Sequence, residues 1–394
     1  MDMTNLKNRT NGLKLGVGAL ALGVCVAAQA AAPAITNITM VGTTPQFRIQ
    51  SDLGITNQIQ YATNLGQTNW TVLTNVVVAA SPYWFVDVDA PPAPCRFYRV
   101  VALNQTNNPA PTNMALIPAG SFTMGNAMDP NEGSSGELPL HSVYISAFYL
   151  DKYEVTKALW DEVYNWATNH GYSFEYGALG KAANHPAHTM TWYDAVKWCN
   201  ARSEKEARVP AYYTDAGLSV RYRSGQVDPY VDWGRGYRLP TEAEWEKAAR
   251  GGASGRRFPW SGTDNITYSM ANYYSYGAGN ASYPYDVSPT SGYHPSFNDG
   301  IYPYTSPVDY FAPNGYGLYD MAGNVWQWCW DWYGVYSASA QTDPRGPANG
   351  SSRVYRGGSW VNGAFSCRAA YRNSYSPAAR DNRVGFRSAL PPGQ

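Results

Sequence analysis

Between Gly251 and Pro307 the chain runs mostly through Gly, Asn, Ser, Pro and Tyr, and from there to its end it is rich in Gly and Trp. Neither the 3.6-residue period of a helix nor the two-residue period of a strand is sustained there, so most of this region has to fold as loops. Irregular stretches of such length are rare in compact domains unless short strands or bound ions organise them. The aromatic content decides between order and disorder. With 14 Trp and 32 Tyr among 394 residues, too much ring surface is present to remain solvated. An ordered domain with little regular secondary structure is expected.

Charge narrows the partners. Lys and Arg total 29, Asp and Glu total 29, and charged residues make up only 15% of the chain, so no basic field exists to hold a phosphate backbone. Nucleic acid is not an expected partner. Residues 1–30 carry Lys7, Arg9 and Lys14, then the apolar run Leu15 to Ala28, then Ala28-Gln29-Ala30. That is the plan of a secretory signal peptide cut near Ala30, which predicts a secreted or periplasmic chain. No later stretch approaches the roughly 20 apolar residues of a membrane helix. Val24, where a small residue would be needed, speaks against a lipid anchor on Cys25. Cys95, Cys199, Cys329 and Cys367 then remain, in a compartment where disulfides can persist.

Residues 31–104 read as short alternating runs: 46–50, 58–61, 70–73, 83–88 and 97–103. Broken by Asn, Gly and Pro turns, they predict a small all-β domain of fibronectin or immunoglobulin sandwich pattern. Cys95 sits in a Pro-rich turn and has no evident chemistry. Residues 105–113 have a linker's composition and set off a second domain over 114–392. In that domain Thr191 with Asp194, and Thr241 with Glu244, each place a hydroxyl at an N-cap and a carboxylate three residues on, the signature of a helix start. Pro240 and Gly251-Gly252 bound the second of these helices. A further helix is predicted over 157–168, with Leu159, Val163 and Trp166 on one face. Cys199 reads as a small core residue.

A set of segments then stands out in order: Leu116 to Gly125; Tyr153-Glu154-Val155-Thr156; His185-Pro186-Ala187-His188 leading into Trp192-Tyr193-Asp194-Ala195; Arg238 to Glu246; Phe258-Pro259-Trp260; Asn314 to Trp328; Arg356-Gly357-Gly358-Ser359-Trp360; and Gly385-Phe386-Arg387. Together they resemble the formylglycine-generating enzyme, or sulfatase-modifying factor, family. The resemblance implies an α+β, C-type-lectin-like fold with little regular structure and with bound calcium. One calcium would take Asn272, the Tyr273 carbonyl, Asp299 and the Ile301 carbonyl. A second would take Asp320, Gln327 and the carbonyls of Gly323 and Val325. Family members usually have Asn where Asp320 stands and Glu where Gln327 stands. Oxygen donors on Asn-, Asp- and Gly-rich loops are also what Ca²⁺ chemistry asks for.

The family's oxidases hold copper(I) between two cysteines just after a Gly-Gly-Ser segment and convert a sulfatase cysteine to formylglycine. Here Gly357-Gly358-Ser359 is followed by Asn362 and Cys367: counting forward from Ser359 supplies one cysteine and an amide, counting back from Gly385 sets Cys367 three residues further on, at neither copper position, and no register supplies the pair. A linear two-sulfur copper(I) site needs both thiolates, and copper is expected only if another sulfur reaches Cys367. By resemblance, Cys367, Ser359 and Trp326 fall at active-site positions. Cys329 falls in a block bordering the same pocket, which makes a Cys329–Cys367 disulfide the favoured arrangement over a free or functional thiol. His185 and His188, beside Pro186 on a loop, are poor candidates for a catalytic metal. The expectation is a non-catalytic or diverged extracellular binder of a peptide, glycan or protein, with a sulfatase among the possible partners. The alternatives are a formylglycine-generating oxidase and, further off, an iron oxidase.

Overall fold

The computed structural model describes residues 34–41, 44–50, 56–63, 70–77, 83–87, 96–102, 111–128 and 132–392. The expected signal peptide, Cys25 and Cys95 lie outside the described residues. The chain divides into two units, Met1–Gln105 and Thr106–Gln394.

In the first unit, period-two patterning produces β1 (Ala34–Val41), β2 (Thr44–Gln50), β3 (Thr56–Ala62), β4 (Thr71–Val77), β5 (Tyr83–Val86) and β6 (Phe97–Ala102). They form two antiparallel three-stranded sheets, ordered β1-β2-β5 and β4-β3-β6. Phe47, Ile49, Ile59 and Tyr98 fill the space between them. Rings of Phe47 and Tyr98, 4.9 Å apart, join one sheet to the other. Strand β1 escaped the sequence reading because none of its residues is fully buried, which leaves its alternation weak.

The second unit is α+β with little regular structure. Near its N-terminus lie β7 (Met114–Ile117), β8 (Gly120–Met124), β9 (His141–Ile145) and β10 (Phe148–Asp151). After them come α1 (Lys157–Thr168), α2 (Trp192–Lys205), a two-residue pair β11 (Tyr212–Tyr213) and β12 (Tyr230–Val231), and α3 (Glu242–Ala249). The C-terminal third contributes β13 (Trp326–Trp332), β14 (Gln341–Thr342), β15 (Arg353–Arg356), β16 (Arg372–Tyr375), β17 (Val384–Gly385) and β18 (Ala389–Leu390). The sheet β18-β10-β7 ties the end of the unit to its beginning, and the sheet β16-β15-β13-β17 carries the aromatic motifs.

Both predicted capping boxes are present: Thr191 and Thr241 accept from the amides of Asp194 and Glu244, whose carboxylates reach back to the cap. Helix α1 spans the predicted residues but buries a different stripe. Trp160, Val163 and Ala167 face the core, while Leu159 and Trp166 are only partly covered, because the partner is the stacked ring of Trp198 on α2, 5.9 Å from Trp160. Phe386 stands edge-on to both indoles. Helix α3 is buried on every side despite its charges. Glu244 pairs with Arg238, Glu242 with Arg372, and Glu246 with Arg250 and Arg356. Lys247 donates to the Gly120 carbonyl at 2.8 Å.

Candidate ligand pocket and cation corners

The sheet around β13 opens at one end into a pocket of about 150 Å³ lined by Trp326, Tyr355, Asn362, Asn373, Tyr375, Asp381, Arg383 and Val384. The turn that supplies Asn362 depends on Gly357 and Gly358, at φ +96° and +76°. A Cβ on Gly358 would stand 3.0 Å from the Ser366 carbonyl and 3.1 Å from Cys367 Sγ, so only glycine lets the backbone pass. Ser359 is consequently buried, and its hydroxyl donates to Asn362 Oδ1 at 2.5 Å. Trp326 Nε1 donates to the same oxygen at 2.8 Å. The Asn362 carbonyl accepts from the amide of Tyr274 at 3.0 Å. Two donors thus fix the Asn362 side chain at the pocket wall, and a third fixes its backbone. Opposite it, Arg383 Nε bonds Asp381 at 2.7 Å. Burial would raise the Asp381 carboxyl, but the Arg383 side chain and amide hold it below its ordinary range.

Of the three residues that resemblance placed at the active site, Trp326 and Ser359 meet through Asn362, and Cys367 does not join them. Cys367 ends the turn Ala364–Cys367 and is buried with Phe258, Tyr285 and Ala364, behind Gly358. Burial pushes its thiol well up. The expected Cys329–Cys367 disulfide is not formed: Cys199, Cys329 and Cys367 are all free and buried. Alternation along β13 explains this. Trp326 and Trp328 face the core cluster that also contains Cys199, which turns Cys329 into a second cluster, whereas Cys367 belongs to a third. The described residues therefore do not fit a two-thiolate copper(I) site. His185 Nδ1 bonds Thr305 Oγ1 and His188 Nδ1 bonds Thr189 Oγ1, each with its own partner.

The residues expected to hold calcium fall into two unlike corners. At the first, Asp320 is buried at φ +52°, and both its carboxylate oxygens lack any hydrogen-bond donor. Burial drives its carboxyl well above the ordinary range, and the neighbouring Glu154 adds to the rise against the opposing Arg387. Glu154 is also fully buried and raised by burial, although it accepts from Asn324 Nδ2 at 2.8 Å, from the Val325 amide at 3.3 Å and from Gln327 Nε2 at 3.2 Å. Gly323 must be glycine here, since a Cβ would lie 2.3 Å from the Asn272 carbonyl oxygen. Gln327 is not free to serve as a ligand: its Oε1 accepts from Trp245 Nε1 at 2.7 Å and Arg387 Nε at 2.8 Å. Glu154, quoted within a motif but given no role from sequence, is the second acid of this corner. A buried carboxylate with no donor, beside another acid, is a donor set that suits a hard divalent cation.

At the second corner Asp299 and the Ile301 carbonyl face the ammonium of Lys181, a residue that nothing in the sequence singled out. Asn272 donates from Nδ2 to the Tyr304 carbonyl at 2.8 Å, and its buried Oδ1 has no partner. The Tyr273 hydroxyl bonds Asp286 at 2.6 Å.

Comparison with known proteins agrees with the fold. The model of the sulfatase-modifying factor enzyme 1-like domain matches residues 100–391. The chain belongs to that family. It is 34% identical to the formylglycine-generating enzyme of Mus musculus over 310 residues, covering 72% of this chain and 77% of that one. Identity to the formylglycine-generating enzyme of Streptomyces coelicolor is also 34%, over 69% of this chain and 87% of the relative. Among solved structures, Treponema denticola variable protein 1 is similar with a TM-score of 0.54 and 30% identity, covering 71% of this chain and 95% of that one.

Proposed function

We propose that this chain is an exported, ligand-binding member of the sulfatase-modifying factor family rather than a copper-dependent oxidase. The observation that carries the proposal is Asn362. At the pocket wall, where counting forward from Ser359 would put a metal-binding thiol, an amide is clamped by Trp326 and Ser359, and Cys367, the one cysteine of the segment, lies buried behind Gly358. With its oxygen engaged by two donors, the Asn362 amide leaves its Nδ2 hydrogens to donate to a ligand, and it is neither a nucleophile nor a soft-metal ligand. The charged pattern of the first thirty residues supports export.

The rest of the lining suits recognition. Tyr355 and Tyr375, both partly exposed, offer ring faces over the buried Trp326; Asn362 and Asn373 offer amides; and Asp381 with Arg383 offers a paired charge. At about 150 Å³ the pocket is smaller than the roughly 300–1,000 Å³ of sites that engulf a small molecule, so it takes one ring or side chain of a larger ligand. A peptide or glycan of an extracellular partner fits that description. We further propose that the Asp320 corner takes a calcium ion, which would supply the charge that two buried acids lack; Asp320 and the carbonyls of Gly323 and Val325 would hold it.

The test is direct. The exported chain is loaded with Cu(I) and offered a Cys-x-Pro-x-Arg peptide, and mass spectrometry is used to look for an aldehyde. In parallel, peptide and glycan arrays are probed with wild type and with Tyr375→Ala and Arg383→Ala, two lining residues that are not buried in the core. Array binding that these substitutions abolish, without any aldehyde, is the expected result. Aldehyde formation would overturn the proposal in favour of the oxidase, which the 34% identity to formylglycine-generating enzymes makes the natural rival.

A further inference from the structure

The corner at Asp299 and Ile301 is already neutralised by the chain itself. Lys181 Nζ lies 2.7 Å from Asp299 Oδ1, 2.6 Å from Asp299 Oδ2 and 3.1 Å from the Ile301 carbonyl oxygen. Two of the ammonium's three N–H donors are hydrogen-bonded, to Asp299 Oδ1 and to the Ile301 carbonyl, with Asp299 Oδ2 at ion-pair distance. Because Nζ is close to both carboxylate oxygens at once, it sits in the chelating position of Asp299. A calcium bound there would need to stand about 2.3–2.6 Å from the same two oxygens and would coincide with the ammonium.

The position of Lys181 is built, not accidental. Gly180 before it passes so near α1 that a Cβ would lie 2.6 Å from Lys157 Cβ. After it, the Asn184 carbonyl accepts from the Val308 amide at 3.0 Å, and His185 Nδ1 meets Thr305 Oγ1 at 2.9 Å. The segment 180–185 is thereby strapped along the loop that carries Asp299 and Ile301. Only 18% of the Lys181 side chain is exposed, and its ammonium lies 5.7 Å from the centre of the Tyr304 ring.

We propose that Lys181 is a built-in monovalent cation that replaces a metal ion at the Asp299–Ile301 corner, so that this chain carries one divalent cation where its fold has room for two. The count of one rests on the calcium reading of Asp320 given above; the exclusion at Asp299 does not. The contrast between the corners supports the assignment. Asp320 is buried with no donor at all, whereas Asp299, half open to solvent, has its carboxylate met by one side chain that also reaches the Ile301 carbonyl; Asn272 Oδ1, in the same corner, keeps no partner.

The experiment is elemental analysis and calorimetric titration with CaCl₂ on the full exported chain, for wild type, Lys181→Met, Lys181→Gln, Asp320→Ala and the Lys181→Met/Asp299→Asn double variant. Near-UV circular dichroism selects the folded variants. The expected result is one calcium per wild-type chain, two in whichever of the Lys181 variants folds, and one again in the double variant. Asp320→Ala should bind none. Two calcium ions in wild type, one of them lost in the Lys181→Met/Asp299→Asn double variant, would overturn the proposal, as would folded Lys181 variants that keep the wild-type count. A wild type that binds none while Lys181→Met gains one would uphold the role of Lys181 and sink only the reading of Asp320.

Discussion

Glu246 and Asp320 are both carboxylates withdrawn from water in the same unit, and the fold treats them in opposite ways. Glu246, in α3, accepts from the Gly125 amide at 2.8 Å and from Arg250 Nη2 at 2.7 Å, and is paired with Arg356 as well. Burial alone would push it up, yet the two guanidiniums leave it below its ordinary range. Asp320 has no donor, and burial leaves it far above that range. A fold that matches Glu242, Glu244 and Glu246 to arginines can satisfy buried acids with its own side chains. An acid it leaves without a donor is where the proposed calcium would supply the missing charge.

Three measurements would break or sharpen that contrast. The largest effect is expected for Glu246→Gln, which takes from two buried guanidiniums, Arg250 and Arg356, the carboxylate they share. Loss of about 3–5 kcal/mol in denaturant unfolding is predicted, since removing one partner of a buried pair leaves an uncompensated charge. A change near zero would mean that the α3 network is not what holds this region.

Chelation comes next. If a cation neutralises Asp320, stripping it with EDTA should lower stability by about 4 kcal/mol when the ion had been present at roughly a thousand times its dissociation constant. Asp320→Asn should abolish the sensitivity to chelator. A melting temperature indifferent to EDTA in wild type would erase the difference between the two acids.

The smallest effect tests the same rule on a base. His188 is buried, its Nε2 has no partner, and burial pushes it down from 6.5 to about 4. A base whose folded value is depressed binds fewer protons folded than unfolded between those two values. Its contribution is therefore present above pH 6.5 and is lost as the pH falls towards 4, by about 3 kcal/mol at most. His188→Gln should flatten the fall in stability across that window. An unchanged acid limb would show that some other group sets it.

Legibility followed the range of the physics. Helix caps are local, and Thr191 with Asp194 and Thr241 with Glu244 could be read three residues at a time. Strands β2 to β6 declared themselves by alternation, while β1, with no fully buried residue, did not. Within the candidate site, Trp326, Ser359 and Asp320 came from motifs. Tyr355, Asn373, Tyr375 and Arg383 carried no signal, because they converge on one pocket only through the pairing of β13 with β15 and β17, and of β15 with β16. The stripe of α1 was misplaced by one residue at each end, since its position depends on where Trp198 of α2 stands.

What the sequence by itself determined is the family, the irregular α+β architecture, the helix starts and the absence of a contiguous cysteine pair after Ser359, all of them properties of residue identity and spacing along the chain. Tertiary structure alone decided that Cys329 and Cys367 face different clusters, that Gln327 is tied to Trp245 and Arg387, that Glu154 joins Asp320, and that Lys181 reaches Asp299. Each of these joins residues distant in sequence, by sheet pairing or loop packing. Charge and burial act through space, and no spacing along the chain encodes which acid a distant lysine will meet.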